Sequence, residues 1–161
     1  MREKNKGFLF IQIPGWILLV YLLFAQGISA ISYEAGVAMG TQESAEIITE
    51  VGTAFWYGFA LGDLVIYIPA LLLGLIGHIW NCRWARVLLA GSFGITAYWP
   101  IVCLAAVASA RNARGWSLSN ELSYWIVLPV IAAWGAWGLV HLVISRPSAD
   151  PGTHSVIGKG R

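Results

Sequence analysis

The chain has 161 residues, of which 58% are hydrophobic and 11% charged, with a formal net charge of +2. A soluble domain is about half apolar and about a quarter charged, so a water-soluble enzyme domain is all but excluded. The apolar surplus also excludes disorder, and the small, scattered charge points away from nucleic acid as a partner. What remains is a small integral membrane protein, with the lipid bilayer as its first partner.

A helix that crosses the bilayer needs about 20 mostly apolar residues. Four such stretches follow one another: Phe8–Ser32, Thr53–Trp80, Ala85–Ala110 and Leu122–Ser145. They predict an all-α four-transmembrane-helix bundle over residues 1–145, with residues 146–161 as a flexible cytoplasmic tail rich in proline and glycine. The runs are continuous, and far longer than the ~10-residue alternating segments of a membrane β-barrel. Each span carries one proline (Pro14, Pro69, Pro100 and Pro129), which predicts kinked helices. Glycine pairs accompany them: Gly74 and Gly77, Gly91 and Gly94, Gly135 and Gly138. Such small residues predict close helix packing.

The first span follows Arg2, Lys4 and Lys6, as a secretory signal peptide would. Its apolar run outlasts the usual 7–15 residues and includes Gln12 and Pro14, so a retained helix is the expectation. The connection Tyr33–Val51 comes next. Thr41-Gln42-Glu43 reads as a helix start, with a side-chain oxygen at the N-cap and an acid in the first turn. The second span therefore begins outside the membrane as a short amphipathic stretch.

Basic residues set the orientation. Arg2, Lys4, Lys6, Arg83, Arg86, Arg146, Lys159 and Arg161 fall on one side of the four-span topology, and only Arg111 and Arg114 on the other. Basic flanks stay inside, which predicts cytoplasmic N- and C-termini in a plasma or inner membrane. Trp80 and Trp84, at one boundary, and Trp56, Tyr57, Trp116, Tyr124 and Trp125, at the other, fit interfacial belts. Cys82 and Cys103 are 21 positions apart, about 30 Å along a helix, so no disulfide is expected.

Asp63 is the most informative residue, being the one acid well inside a span. A charged carboxylate at that depth costs at least ~2.5–3.5 kcal/mol, so it faces the interior, is paired, or is protonated. One helical face carries Trp56, Asp63 and Tyr67. With Tyr98 and Trp99 from the third span, these outline a pocket for a hydrophobic or cationic small molecule, or for a proton. The competing reading is an aspartate hydrogen-bonded to Tyr67, Tyr98 or Thr96, holding two helices together.

His78 and His141 stand at nearly one depth near the inner face. Two such imidazoles on facing helices would ligate a haem b iron or help to bind a metal, the glycine pairs leaving room for a flat cofactor. An interfacial histidine at a helix C-terminus is the simpler reading. Arg111, Arg114, Asn112 and Trp116 form a small basic outer loop, read as a salt-bridged lid or as an anion or lipid-headgroup contact. No phosphate loop, zinc motif or nucleophile elbow occurs, so no catalytic residue is assigned. Three functions stay open: a binding or transport module, with a homo-oligomer or larger complex as partner; a non-catalytic accessory or assembly subunit; and a bis-His haem redox protein.

Overall fold

The computed structural model describes residues 6–118 and 120–144. The expected tail, with Arg146, Lys159 and Arg161, lies outside the described residues, as do Arg2 and Lys4. Among the described residues five helices form: α1 (Lys6–Ile31), α2 (Tyr33–Ala38), α3 (Ala45–Ile79), α4 (Arg83–Ala110) and α5 (Glu121–Ile144). No strand occurs among the described residues. Helices α1, α3, α4 and α5, of 26, 35, 28 and 24 residues, are each long and apolar enough to cross a membrane. At 1.5 Å per residue the shortest is about 36 Å long, against a hydrocarbon core of about 30 Å.

The long helices form a ring of antiparallel neighbours. Gln12 of α1 meets His78 of α3, and Tyr67 of α3 meets Thr96 of α4. Arg86 Nε of α4 donates to the Leu142 carbonyl of α5 at 2.6 Å. Phe10 of α1 stands edge-on to Trp137 of α5, with ring centroids 4.7 Å apart, and closes the ring. The second and fourth spans therefore sit diagonally. Leu19 and Leu22, Leu71 and Leu75, and Leu89 and Phe93 fill the centre. The start of α1, the end of α3, the start of α4 and the end of α5 share one end of the bundle, here the proximal end.

Glycines set the helix approach at two seams. A Cβ on Gly135 would lie 2.6 Å from the Ala97 backbone nitrogen, and one on Gly138 2.6 Å from the Phe93 ring. On α3, Gly74 is filled by Leu89, and Gly77 by Ala85 and Trp84. The third expected pair differs. A Cβ on Gly91 or Gly94 meets nothing within 4 Å, so this pair brings no helices together among the described residues.

The connection between α1 and α3 departs from the sequence expectation. Thr41 does not start the next helix; its N–H and hydroxyl both donate to the Gly36 carbonyl, at 3.0 and 3.1 Å, and close α2. A helix end leaves its carbonyls unpaired, and Thr41 meets that need first. Helix α2 starts at Ser32, whose Oγ accepts from the Ala35 N–H at 3.3 Å. Helix α3 begins at Ala45, then leaves helical geometry at Thr49 (φ 68°, ψ 165°), whose Oγ1 accepts from the Gly52 N–H at 3.3 Å and caps the helix anew. At the proximal end, Asn81 (φ 55°) takes the left-handed conformation that ends α3. The Cys82 N–H then returns to the Gly77 carbonyl at 2.8 Å, as in a Schellman motif.

The α4–α5 seam yields a direct test. Gly135→Ala places a methyl against backbone that cannot move aside, so it should destabilise the bundle by about 1–3 kcal/mol. Gly91→Ala, in open space, should change stability by less than about 0.5 kcal/mol. Thermal unfolding of both variants in detergent, followed by circular dichroism, separates the two.

Candidate functional site

Two membrane helices contain a π-turn, at Leu23–Gly27 in α1 and Asp63–Tyr67 in α3, and the two turns pack against each other. A π-turn frees backbone groups from the regular ladder and recurs at functional sites. In α3 the Ile68 N–H returns to the Asp63 carbonyl, one residue before Pro69, which has no N–H to donate. In α1 the Ala25 carbonyl accepts from Ser29 Oγ at 2.6 Å and from Gln42 Nε2 at 3.2 Å. Side chains thus replace the bonds that lipid cannot supply.

Asp63 opens the α3 π-turn and is 7% exposed. Its carboxyl makes no hydrogen bond or ion pair among the described residues, while Tyr21, Tyr67 and Cys103 lie within its electrostatic reach. The expected partners are engaged elsewhere. The Tyr67 and Thr96 hydroxyls bond each other in the core, and Thr96 Oγ1 also reaches the Ser92 carbonyl at 2.8 Å. Trp99 packs against the same core, its buried indole N–H beside the Tyr67 hydroxyl but not in hydrogen-bond geometry with it. Asp63 is 16 residues from the proximal end of α3, and Trp99 16 residues from that of α4. Both therefore stand about 24 Å up the bundle. An acid 7% exposed and a buried indole donor, neither with a hydrogen-bond partner among the described residues, share one level.

The other two residues of the expected pocket lie apart. Tyr98 is 63% exposed on the outer face of α4. Trp56 is seven residues above Asp63, about 10 Å along the helix, and lines a separate groove with Trp116. The geometry gathers Asp63, Tyr67 and Trp99, with Thr96, and leaves Trp56 and Tyr98 outside.

The histidine site meets a residue that the sequence analysis passed over. Gln12 is buried, and Trp16 Nε1 donates to its Oε1 at 2.9 Å. An indole only donates, so the opposite amide atom, Nε2, faces α3. It donates to the Leu75 carbonyl at 3.2 Å and to His78 Nδ1 at 3.0 Å. His78 Nδ1 is then the acceptor and Nε2 carries the proton. The signal was an amide inside a span, four residues before a tryptophan.

Haem b does not fit these residues. The proton on His78 Nε2 occupies the lone pair an iron would need. His141 is stacked on Trp137, with centroids 4.9 Å apart, and its Nε2 is so close to α1 that a Cβ on Gly7 would lie 2.8 Å away. The glycine faces expected to admit a flat cofactor are filled by Ala85, Leu89, Phe93 and the Thr96–Ala97 backbone. Among the described residues no three His, Cys, Asp or Glu side chains are grouped to hold a metal ion.

The fold is all-helical among the described residues, with four helices long and apolar enough to cross a membrane, and between them lies an acid with no partner among those residues. The chain matches no family model, no curated protein and no solved structure.

Gln12→Leu keeps the volume but strands the Trp16 indole and His78 Nδ1. Each unpaired buried group costs about 1–3 kcal/mol. Unfolding in denaturant should therefore shift to clearly lower concentration, and NMR of 15N-labelled histidine should show the His78 tautomer balance change.

Proposed function

We propose that the protein binds, and in an oligomer carries across the membrane, a hydrophobic or cationic small molecule at Asp63. The observation behind this reading is Asp63, 7% exposed with no hydrogen bond or ion pair among the described residues, level with the unpaired Trp99 indole N–H. A bound cation supplies the charge that the carboxylate lacks, and an acceptor on the same molecule meets the indole. Tyr67, held by Thr96, forms one wall. Four helices make a thin wall for a pathway, so a second copy completes it. In this reading the basic flanks keep both termini cytoplasmic, in a plasma or inner membrane, and the prolines bend the helices around the site.

The test uses radiolabelled tetraphenylphosphonium, a hydrophobic aromatic cation, with the full chain in detergent. Asp63→Asn should weaken its binding about tenfold or more, as expected for the loss of a charged partner. The circular dichroism and elution volume should stay unchanged. Equal affinity in the two proteins would refute the reading.

A second reading, an accessory or assembly subunit without chemistry of its own, is favoured by the open space at Gly58, Gly62, Gly91 and Gly94. Small residues with nothing against them within the chain suit close approach by another membrane helix. Under this reading Gly91→Leu lowers the recovered oligomer or complex in cross-linking while the monomer stays folded. Asp63→Asn then leaves cation binding untouched.

A further inference from the structure

At the distal end, a groove of about 300 Å³ runs between the start of α3, the end of α4 and the loop after it. Its lining includes Ile48, Gly52, Phe55, Trp56, Ala106 and Trp116, and is almost wholly apolar. Trp116 buries its indole N–H with no acceptor among the described residues. Buried indole N–H groups normally find a partner, and the described residues supply none here, so this one is open to an acceptor on a bound molecule.

The groove is a built feature. The Ser117 N–H donates to the Ile47 carbonyl at 2.9 Å and ties the Trp116 loop to the first turn of α3. Gly115, at φ 85°, lets the loop pass Thr49, whose Cγ2 would stand 3.2 Å from a Cβ there. Charged groups crown the site: Glu46 and Glu50 on α3, and Arg111 and Arg114 on the loop, all exposed. Arg111 is paired with Glu121, whereas Arg114 makes no ion pair among the described residues. Apolar walls, Trp116 in the loop at the distal end, and charges on that loop and the first turns of α3 match the level of a bilayer where acyl chains meet their ester links.

We propose that this groove holds one acyl chain of a glycerophospholipid. The ester carbonyl of the chain accepts from Trp116 Nε1, and the phosphate faces Arg114. The site is separate from Asp63, so it stands or falls independently of the function proposed above.

Native mass spectrometry of the full chain in mild detergent tests it, with dioleoyl phosphatidylglycerol and its diether analogue as probes. The analogue keeps the chains and phosphate but lacks both carbonyls. The diester should bind about fivefold to tenfold more tightly, the value of one hydrogen bond. Trp116→Phe, which keeps a ring in place, should bring the ratio to about one. Ala106→Leu fills the groove and should weaken both lipids. Arg114→Gln should weaken both about fivefold at low salt while preserving the ratio. Equal binding of the two lipids by the unmodified chain would overturn the proposal, even if Trp116→Phe fails to fold. So would a preference that survives Trp116→Phe, or binding indifferent to Ala106→Leu. Unchanged affinity in Arg114→Gln would overturn the placement of the phosphate.

Discussion

Lipid offers no hydrogen bonds, so every backbone group that leaves the helical ladder must be satisfied by the chain itself. Much of this structure follows from that demand. Pro14 has no N–H for the Phe10 carbonyl, four residues earlier, and Trp134 Nε1 donates to that carbonyl from α5 at 3.1 Å. The bond that a proline removes within α1 thus becomes a bond between α1 and α5. At the α1 π-turn the Ala25 carbonyl collects Ser29 and Gln42, which draws the connection between α1 and α3 down onto the helix. Irregular backbone here is a source of tertiary contacts.

The same accounting isolates Asp63. Tyr67 and Thr96 satisfy each other, Thr96 and Ser92 also return to their own helix, and the Gln12 amide is fully engaged at the proximal end. Polar groups on three helices pair off and leave over the Asp63 carboxyl, where two π-turns meet, and the Trp99 indole N–H. A lone acid in that setting is expensive to retain for packing alone, because an apolar side chain would fill the space at no electrostatic cost. At the distal end the Trp116 indole is left over in the same sense, beside an apolar groove.

Close packing divides the glycines by role. Gly135 and Gly138 admit α4 backbone and the Phe93 ring, and Gly74 and Gly77 admit Leu89, Ala85 and Trp84. Those contacts consume the space that a flat cofactor beside His78 and His141 would need. Gly91 and Gly94 have the same sequence character but turn to open space. Their sequence spacing is that of the packed pairs, since glycine adds no side chain that would announce which way its face is turned.

The sequence by itself determined the class: four apolar stretches, each longer than the hydrocarbon core, form helices long and apolar enough to cross a membrane, because in lipid a helix pairs its own backbone. It also singled out Asp63, since an intramembrane acid is anomalous whatever surrounds it. Helix ends were legible only where the chain chemistry was unambiguous; Thr41 offered a cap for either neighbour, and the tertiary contact of α2 with α1 decided. That Asp63 has no hydrogen-bond or ion-pair partner among the described residues, the role of Gln12 and the exclusion of Tyr98 from the site depended on helix rotation. That rotation is set by which carbonyls the prolines free and which glycines face a neighbour, and both become definite only when the four helices are packed together.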